Sequence, residues 1–166
     1  MWGKSCALIS RYSITASKCL NICVVDSASE TEVIAASADK CFDVAIDVER
    51  YPEWAPDVKE AVVRKRDSQN RPVLVEYRAS ALGRSTHYTL QYDYANAPKQ
   101  VSWHLAQGDI MRSIDGSYKF EQSDANTKVT YSLSVELIVP LPGFIKRRAE
   151  GRILHTLKEL KARCES

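Results

Sequence analysis

Several things are scarce in this chain of 166 residues, and each scarcity excludes a class of function. Apolar residues never run for the roughly 20 positions that a membrane-crossing helix requires. Charge is nearly balanced, with 23 Lys and Arg against 21 Asp and Glu, and the net +2 is too small to argue for a nucleic-acid partner. Motif cysteines are missing as well. Cys6, Cys19, Cys23, Cys41 and Cys164 are odd in number and include no CxxC, and Cys19 with Cys23 lacks a second half with histidines. That pattern argues against structural zinc. Reduced thiols in a cytoplasmic protein are the better reading. No glycine-rich phosphate loop occurs, and no serine, histidine and carboxylate set has nucleophile spacing. Hydrolase, kinase and metalloenzyme readings are therefore unsupported, and neither a metal nor a cofactor is expected.

What is present is the composition of an ordinary soluble globular domain, 45% hydrophobic and 27% charged, at a length that buries a real core. The net charge sits in the first 28 residues, where Lys4, Arg11 and Lys18 face only Asp26. This segment is rich in serine and poor in acid, as transit sequences are, yet it has no apolar stretch of signal-peptide quality. A poorly ordered extension or an upstream start codon fits it equally well. The expected organisation is an N-terminal extension over 1–28 and one domain over 29–166.

From Thr31 onward the order of elements is clear. "TEVIAAS" reads as a short strand, after which Ser37 can cap a helix with Asp39 near its positive end. Cys41, Phe42, Ala45 and Ile46 recur at helical spacing, and Pro52 then breaks any long helix, so two short helices are expected. Strand runs follow, separated by turn signals: Val58 to Lys65, "VLVEYRASA", "STHYTLQYDY", "VSWHL", "IMRSIDGSYKF" and "VTYSLSVELIV". Their alternation gives each one buried and one wet face, and the short turns make neighbours antiparallel. Pro140 and Pro142 stop the last strand. Ile145, Ala149, Ile153, Leu157, Leu160 and Cys164 then form the stripe of a long amphipathic helix. Its outer face carries Lys146, Arg147, Arg148, Arg152, Lys158, Lys161 and Arg163.

An α+β architecture follows, in which a curved antiparallel sheet grips one long C-terminal helix and leaves room for a cavity between them. Val75 and Tyr77, Tyr88, Leu90 and Tyr92, Trp103, Tyr118 and Leu133 share the inward parity of their strands. Tyr51 and Trp54, in the bend "ERYPEWAPDVKEA", are expected to wall one end of that cavity. Any one of these aromatics could be plain core. Together they fit a roomy cavity with polar tips, since each buried tyrosine hydroxyl needs a partner. Arg112 shares parity with Ile114 and Tyr118, so its guanidinium could point inward toward a carboxylate or phosphate head group. A bulge near Gly116 would instead turn it out to solvent. His87 and His104 fall on outward faces, and His155 lies opposite the helix stripe. Glu76, Asp93 and Glu136 also fall on wet faces, so no acid–base pair is assigned and no residue is given a catalytic role.

The stretches "CFDVAIDVERYPEWAPDVKEAVV", "VSWHLAQGDIMRSIDGSYKF" and "VPLPGFIKRRAEGRI" carry a family likeness. The chain resembles the helix-grip fold of the START-like (SRPBCC) superfamily, and within it the bacterial polyketide cyclase/dehydrase and coenzyme Q-binding START-domain group. The likeness spans roughly Glu32 to Arg163. It implies a hydrophobic ligand, lipid-like, quinone-like or polyketide-like, held between sheet and helix. It does not imply one reaction, because fold likeness alone cannot choose among functions. A cyclase or dehydratase could use the same cavity, with Tyr88, Tyr92, Tyr118 or Arg112 polarising carbonyls. A third reading is a ribosome- or protein-interacting module that uses the basic helix face. That face could also make transient contact with an anionic membrane surface.

Overall fold

The alternating runs build one seven-stranded antiparallel sheet, seen in a computed structural model that describes residues 25–81, 84–138 and 143–166. The strands are β1 (Val25–Ile34), β2 (Val58–Arg66), β3 (Pro72–Ala81), β4 (Arg84–Asp93), β5 (Gln100–Gly108), β6 (Met111–Ser123) and β7 (Asn126–Leu137). Their order across the sheet is β1-β7-β6-β5-β4-β3-β2, so β2 to β7 form a meander and β1 closes onto β7. Between β1 and β2 lie α1 (Ala38–Ile46), one 3-10 turn (Val48–Arg50) and α2 (Tyr51–Trp54). The long α3 (Gly143–Glu165) packs against β1, α1 and α2. This is the helix-grip arrangement that the sequence order implies.

Local chemistry sets the boundaries. Ser37 Oγ accepts the Lys40 N–H at 3.3 Å, and Gln122 Oε1 accepts the Ala38 N–H at 2.7 Å, so two open amides of α1 are satisfied. Pro52 sits in the first turn of α2, where its missing N–H costs nothing. In the β2–β3 turn the Asp67 carboxylate accepts from the Gln69 and Arg71 amides at 2.9 Å and from Arg71 Nε at 2.8 Å. Those bonds, the Arg71 guanidinium first, hold its carboxyl below the usual range. They also stabilise Asn70 at φ 62°, a left-handed conformation that asparagine tolerates.

Several strands exceed their expected bounds, β6 running on to Ser123 and β7 starting at Asn126. β1 starts at Val25 rather than near Thr31, inside the stretch read as an extension. Hydroxyl pairs tie it across to β7, Ser29 with Ser132 at 2.9 Å in the added part and Thr31 with Thr130 at 3.0 Å where the strand was expected to begin. Hydrophobic periodicity cannot register pairing of that kind. β5 runs on to Gly108, so "AQG" is strand and the turn falls at Asp109. There the Asp109 carboxylate accepts the His87 and Ile110 amides at 3.0 and 2.7 Å.

At one end of the inner sheet face, Ile34, Cys41, Val129, Leu157, Leu160 and Cys164 are fully buried in a dry core. The end of α3 is fastened there. Glu165 Oε1 accepts the Ala35 N–H at 2.9 Å, Lys161 pairs with Glu32 at 3.2 Å, and Arg163 pairs with Glu53 at 3.2 Å. The Leu82–Gly83 turn, Pro140, Pro142 and the three N-terminal cysteines lie outside the described residues, as do the side chains of Lys146, Arg147, Arg148, Arg152, Ile145, Ala149 and Ile153. Among the described residues, no helix is long and apolar enough to cross a membrane.

Candidate functional site: an aromatic cavity under the long helix

Beyond the dry core, the same sheet face opens into a cavity of about 230 Å³. Strands β3 to β7 supply its floor because period-two alternation aims every second side chain at α3. From β3 come Tyr77 and Ala79, from β4 Tyr88, Leu90 and Tyr92, and from β5 Trp103. Met111, Ile114 and Tyr118 of β6 and Tyr131, Leu133 and Val135 of β7 complete the floor. Tyr51, Ala55, Pro56, Asp57 and Val58 form one end, and His155 and Thr156 of α3 reach the rim. The volume lies below the few hundred Å³ typical of drug-sized sites, so a ligand must be small or must widen the cavity.

The aromatic rings form a continuous surface. Trp54 lies over Tyr51 with centroids 4.6 Å apart, and Tyr77 stacks on Tyr88 at 5.4 Å. Trp103 touches Tyr92 at 5.7 Å, Tyr118 at 5.3 Å and Tyr131 at 6.1 Å, while Tyr118 and Tyr131 stack at 4.7 Å. Gly116, opposite Trp103 in the β5–β6 register, is what admits the indole. A Cβ on Gly116 would stand 2.4 Å from the six-membered ring of Trp103, so only glycine fits beneath it.

The phenol tips are organised as well. Tyr77 and Tyr92 hydroxyls share a hydrogen bond of 2.7 Å, which leaves one O–H of the pair able to donate elsewhere. Tyr51 donates to the Ala45 carbonyl at 2.6 Å. Burial is the leading cause that pushes every one of these phenols above the ordinary value, Tyr88 up to about 12 with help from Asp57. At neutral pH they are therefore uncharged donors rather than bases. The only carboxylate and imidazole among the described lining residues, Asp57 and His155, stand at the rim, where His155 Nε2 contacts Glu159 at 2.9 Å. Among the described lining residues, the interior groups can polarise an acceptor atom, and the described residues form no metal-binding group.

Of the side chains expected around a ligand, Tyr51, Tyr77, Tyr88, Leu90, Tyr92, Trp103, Tyr118 and Leu133 come together on this cavity. Three do not. Val75 is fully buried in the core opposite Leu90 and forms no wall. Trp54 packs on Tyr51 and does not line the space. Arg112 points outward, 59% exposed, and pairs with Glu136 across to β7 at 2.8 Å. A register shift between Met111 and Ser113 makes Arg112 the extra residue of a bulge, nearer the strand's start than Gly116. The bulge inverts parity, so Met111 and Ile114 both face inward. Sequence reasoning missed Met111 for that reason. It passed over Ile114, Tyr131 and Val135 although their parity was already legible, and it placed His155 away from the cavity because the helix stripe alone defined "inside".

A family model described as polyketide cyclase / dehydrase and lipid transport matches residues 34–160. The chain belongs to this family. Among curated proteins, none matches it. A START superfamily protein from Mycobacterium smegmatis shares 28% identity, with 84% of this chain and 97% of that chain covered at a TM-score of 0.75. The Zhui aromatase/cyclase from Streptomyces sp. R1128 has 15% identity, 86% and 94% coverage and a TM-score of 0.72. Major latex-like protein 151 from Panax ginseng has 13% identity, 86% and 99% coverage and a TM-score of 0.66. At such identities the last two establish the helix-grip fold alone. The family groups cyclase and lipid-transport descriptions under one fold, so membership leaves catalysis undecided.

Proposed function

We propose that this protein binds and carries a small hydrophobic molecule, of lipid, quinone or polyketide type, in the cavity between its sheet and α3. The observation that carries this reading is a space of about 230 Å³ walled by stacked rings and aliphatic side chains, with neutral phenol donors inside it. An apolar body gains from leaving water, and a phenol O–H can bind one carbonyl or hydroxyl oxygen on it. Native mass spectrometry of the purified chain, with extraction of whatever is bound, tests it. A co-purifying hydrophobic molecule that is lost in Trp103→Ala or Tyr88→Ala is expected. Protein that is always empty and takes up no quinone or fatty-acid probe would refute it.

A cyclase or dehydratase reaction in the same cavity is the second reading, favoured by the free phenol donor of the Tyr77–Tyr92 pair beside Tyr88. Such a donor can stabilise developing charge on a carbonyl oxygen. Turnover would need a base, and the rim groups Asp57 and His155 are the candidates for that role. The membrane-surface and ribosome readings draw less support. Lys161 and Arg163 are engaged with Glu32 and Glu53, which removes part of the basic face of α3 from any outside partner. A cytoplasmic location is the reading that five cysteines in odd number, without a CxxC motif, favour.

A further inference from the structure

Cys41 on the inner face of α1 and Cys164 in the last turn of α3 are both fully buried and both free. Both belong to the buried cluster where α1 packs on α3, and each thiol is the leading influence on the other's ionisation. Buried cysteines usually act as small apolar fillers and have no reason to meet one another. Here two elements from opposite ends of the domain deliver one sulfur each to the same point, and the surroundings fix the approach. Leu160 is buried one turn earlier on α3, Glu165 is bonded to the Ala35 amide at 2.9 Å, and Lys161 is paired with Glu32. On the α1 side, Thr127 completes the cluster. Its hydroxyl proton goes to the Ala36 carbonyl at 2.7 Å, which leaves its oxygen lone pairs for the Cys41 thiol.

We infer that Cys41 and Cys164 form a redox modification site, at which an intramolecular disulfide fastens the end of α3 onto α1. The neighbouring Cys164 thiol holds the Cys41 thiol below the ordinary range against the opposing effect of burial, while Cys164 is pushed up. Cys41 is thus the sulfur that reacts first with hydrogen peroxide. Its thiolate attacks one peroxide oxygen, the O–O bond breaks, and hydroxide leaves and takes up a proton to become water. Cys164 then attacks the sulfenic sulfur, the S–S bond forms, and the S–O bond breaks. The departing hydroxide takes the Cys164 proton as a second water. Two thiols lose two electrons, and one peroxide is reduced to two waters. Access requires the last helical turn to open, an event that chain ends undergo more readily than the core.

The test uses the full chain, incubated with hydrogen peroxide, alkylated with N-ethylmaleimide in denaturant, then digested and mapped. The expected product is a peptide linking Cys41 to Cys164 that disappears on reduction, with a Tm several degrees higher in the oxidised than in the reduced protein. Cys41→Ala and Cys164→Ala should each abolish it. Mapping of the unaltered chain decides the matter even if either variant fails to fold. Recovery of both cysteines as maleimide adducts after prolonged exposure would overturn the proposal. So would linkage of either to Cys6, Cys19, Cys23 or a second chain in place of the internal pair.

Discussion

Two halves of one sheet face meet α3 in different ways. Beside β1 and α1 the contact is dry: Ile34, Val129, Leu157 and Leu160 are fully buried aliphatics with no polar atom to satisfy. Beside β3 to β6 the helix is held off by a layer of tyrosines and Trp103, and space remains. The difference shows how one sheet face can combine a filled core with open space. Aliphatic side chains interdigitate and fill volume. Large flat rings with polar tips pack against one another and leave a gap above their faces.

Alkali should break the aromatic half with the largest effect. Phenols held neutral by burial raise the folded-state value above the unfolded one, so their contribution is complete below about pH 10 and declines as pH rises beyond it. Urea unfolding measured against pH should show stability falling steeply above about pH 10, with tyrosinate absorbance appearing only as the fold is lost. In the dry half, Leu157→Ala should cost about 2–5 kcal/mol of unfolding free energy in the same assay, because a fully buried side chain leaves a void. Gly116→Ala should destabilise by about 1–3 kcal/mol and abolish ligand uptake, since the new methyl displaces Trp103 from its seat. Arg112→Ala belongs to neither half. It should cost about 1–2 kcal/mol, because the Glu136 carboxylate that loses this ion pair is only 13% exposed, and should leave uptake of a hydrophobic probe unaltered, because Arg112 points away from the cavity.

The dry half was largely legible in the sequence. Leu157, Leu160 and Cys164 lie on one helical stripe, and Cys41 and Phe42 sit at helical spacing after a recognisable cap. Strand parity also placed most of the cavity floor, from Tyr77 to Leu133. What failed did so for stated reasons. A bulge at Met111–Ser113 carries no hydrophobic signature, and it sent Arg112 outward and Met111 inward. Val75 shares the parity of Tyr77, yet parity says only which face a residue takes, not whether space remains above it. The added part of β1 sets Ser27 and Ser29 opposite Ser134 and Ser132, which looks like loop in a hydrophobicity pattern. Trp54 packs its ring on Tyr51, so the "YPEW" stretch supplies one wall residue and a support for it.

The central claim is that the aromatic half is a ligand cavity rather than imperfect core. Ala79, a small buried residue on its wall, offers the most direct measurement. Titration of an environment-sensitive apolar probe should show one saturable site in the unaltered protein. Ala79→Phe should remove that site while the unfolding transition stays cooperative and no less stable. Equal probe binding by the filled variant would contradict the account.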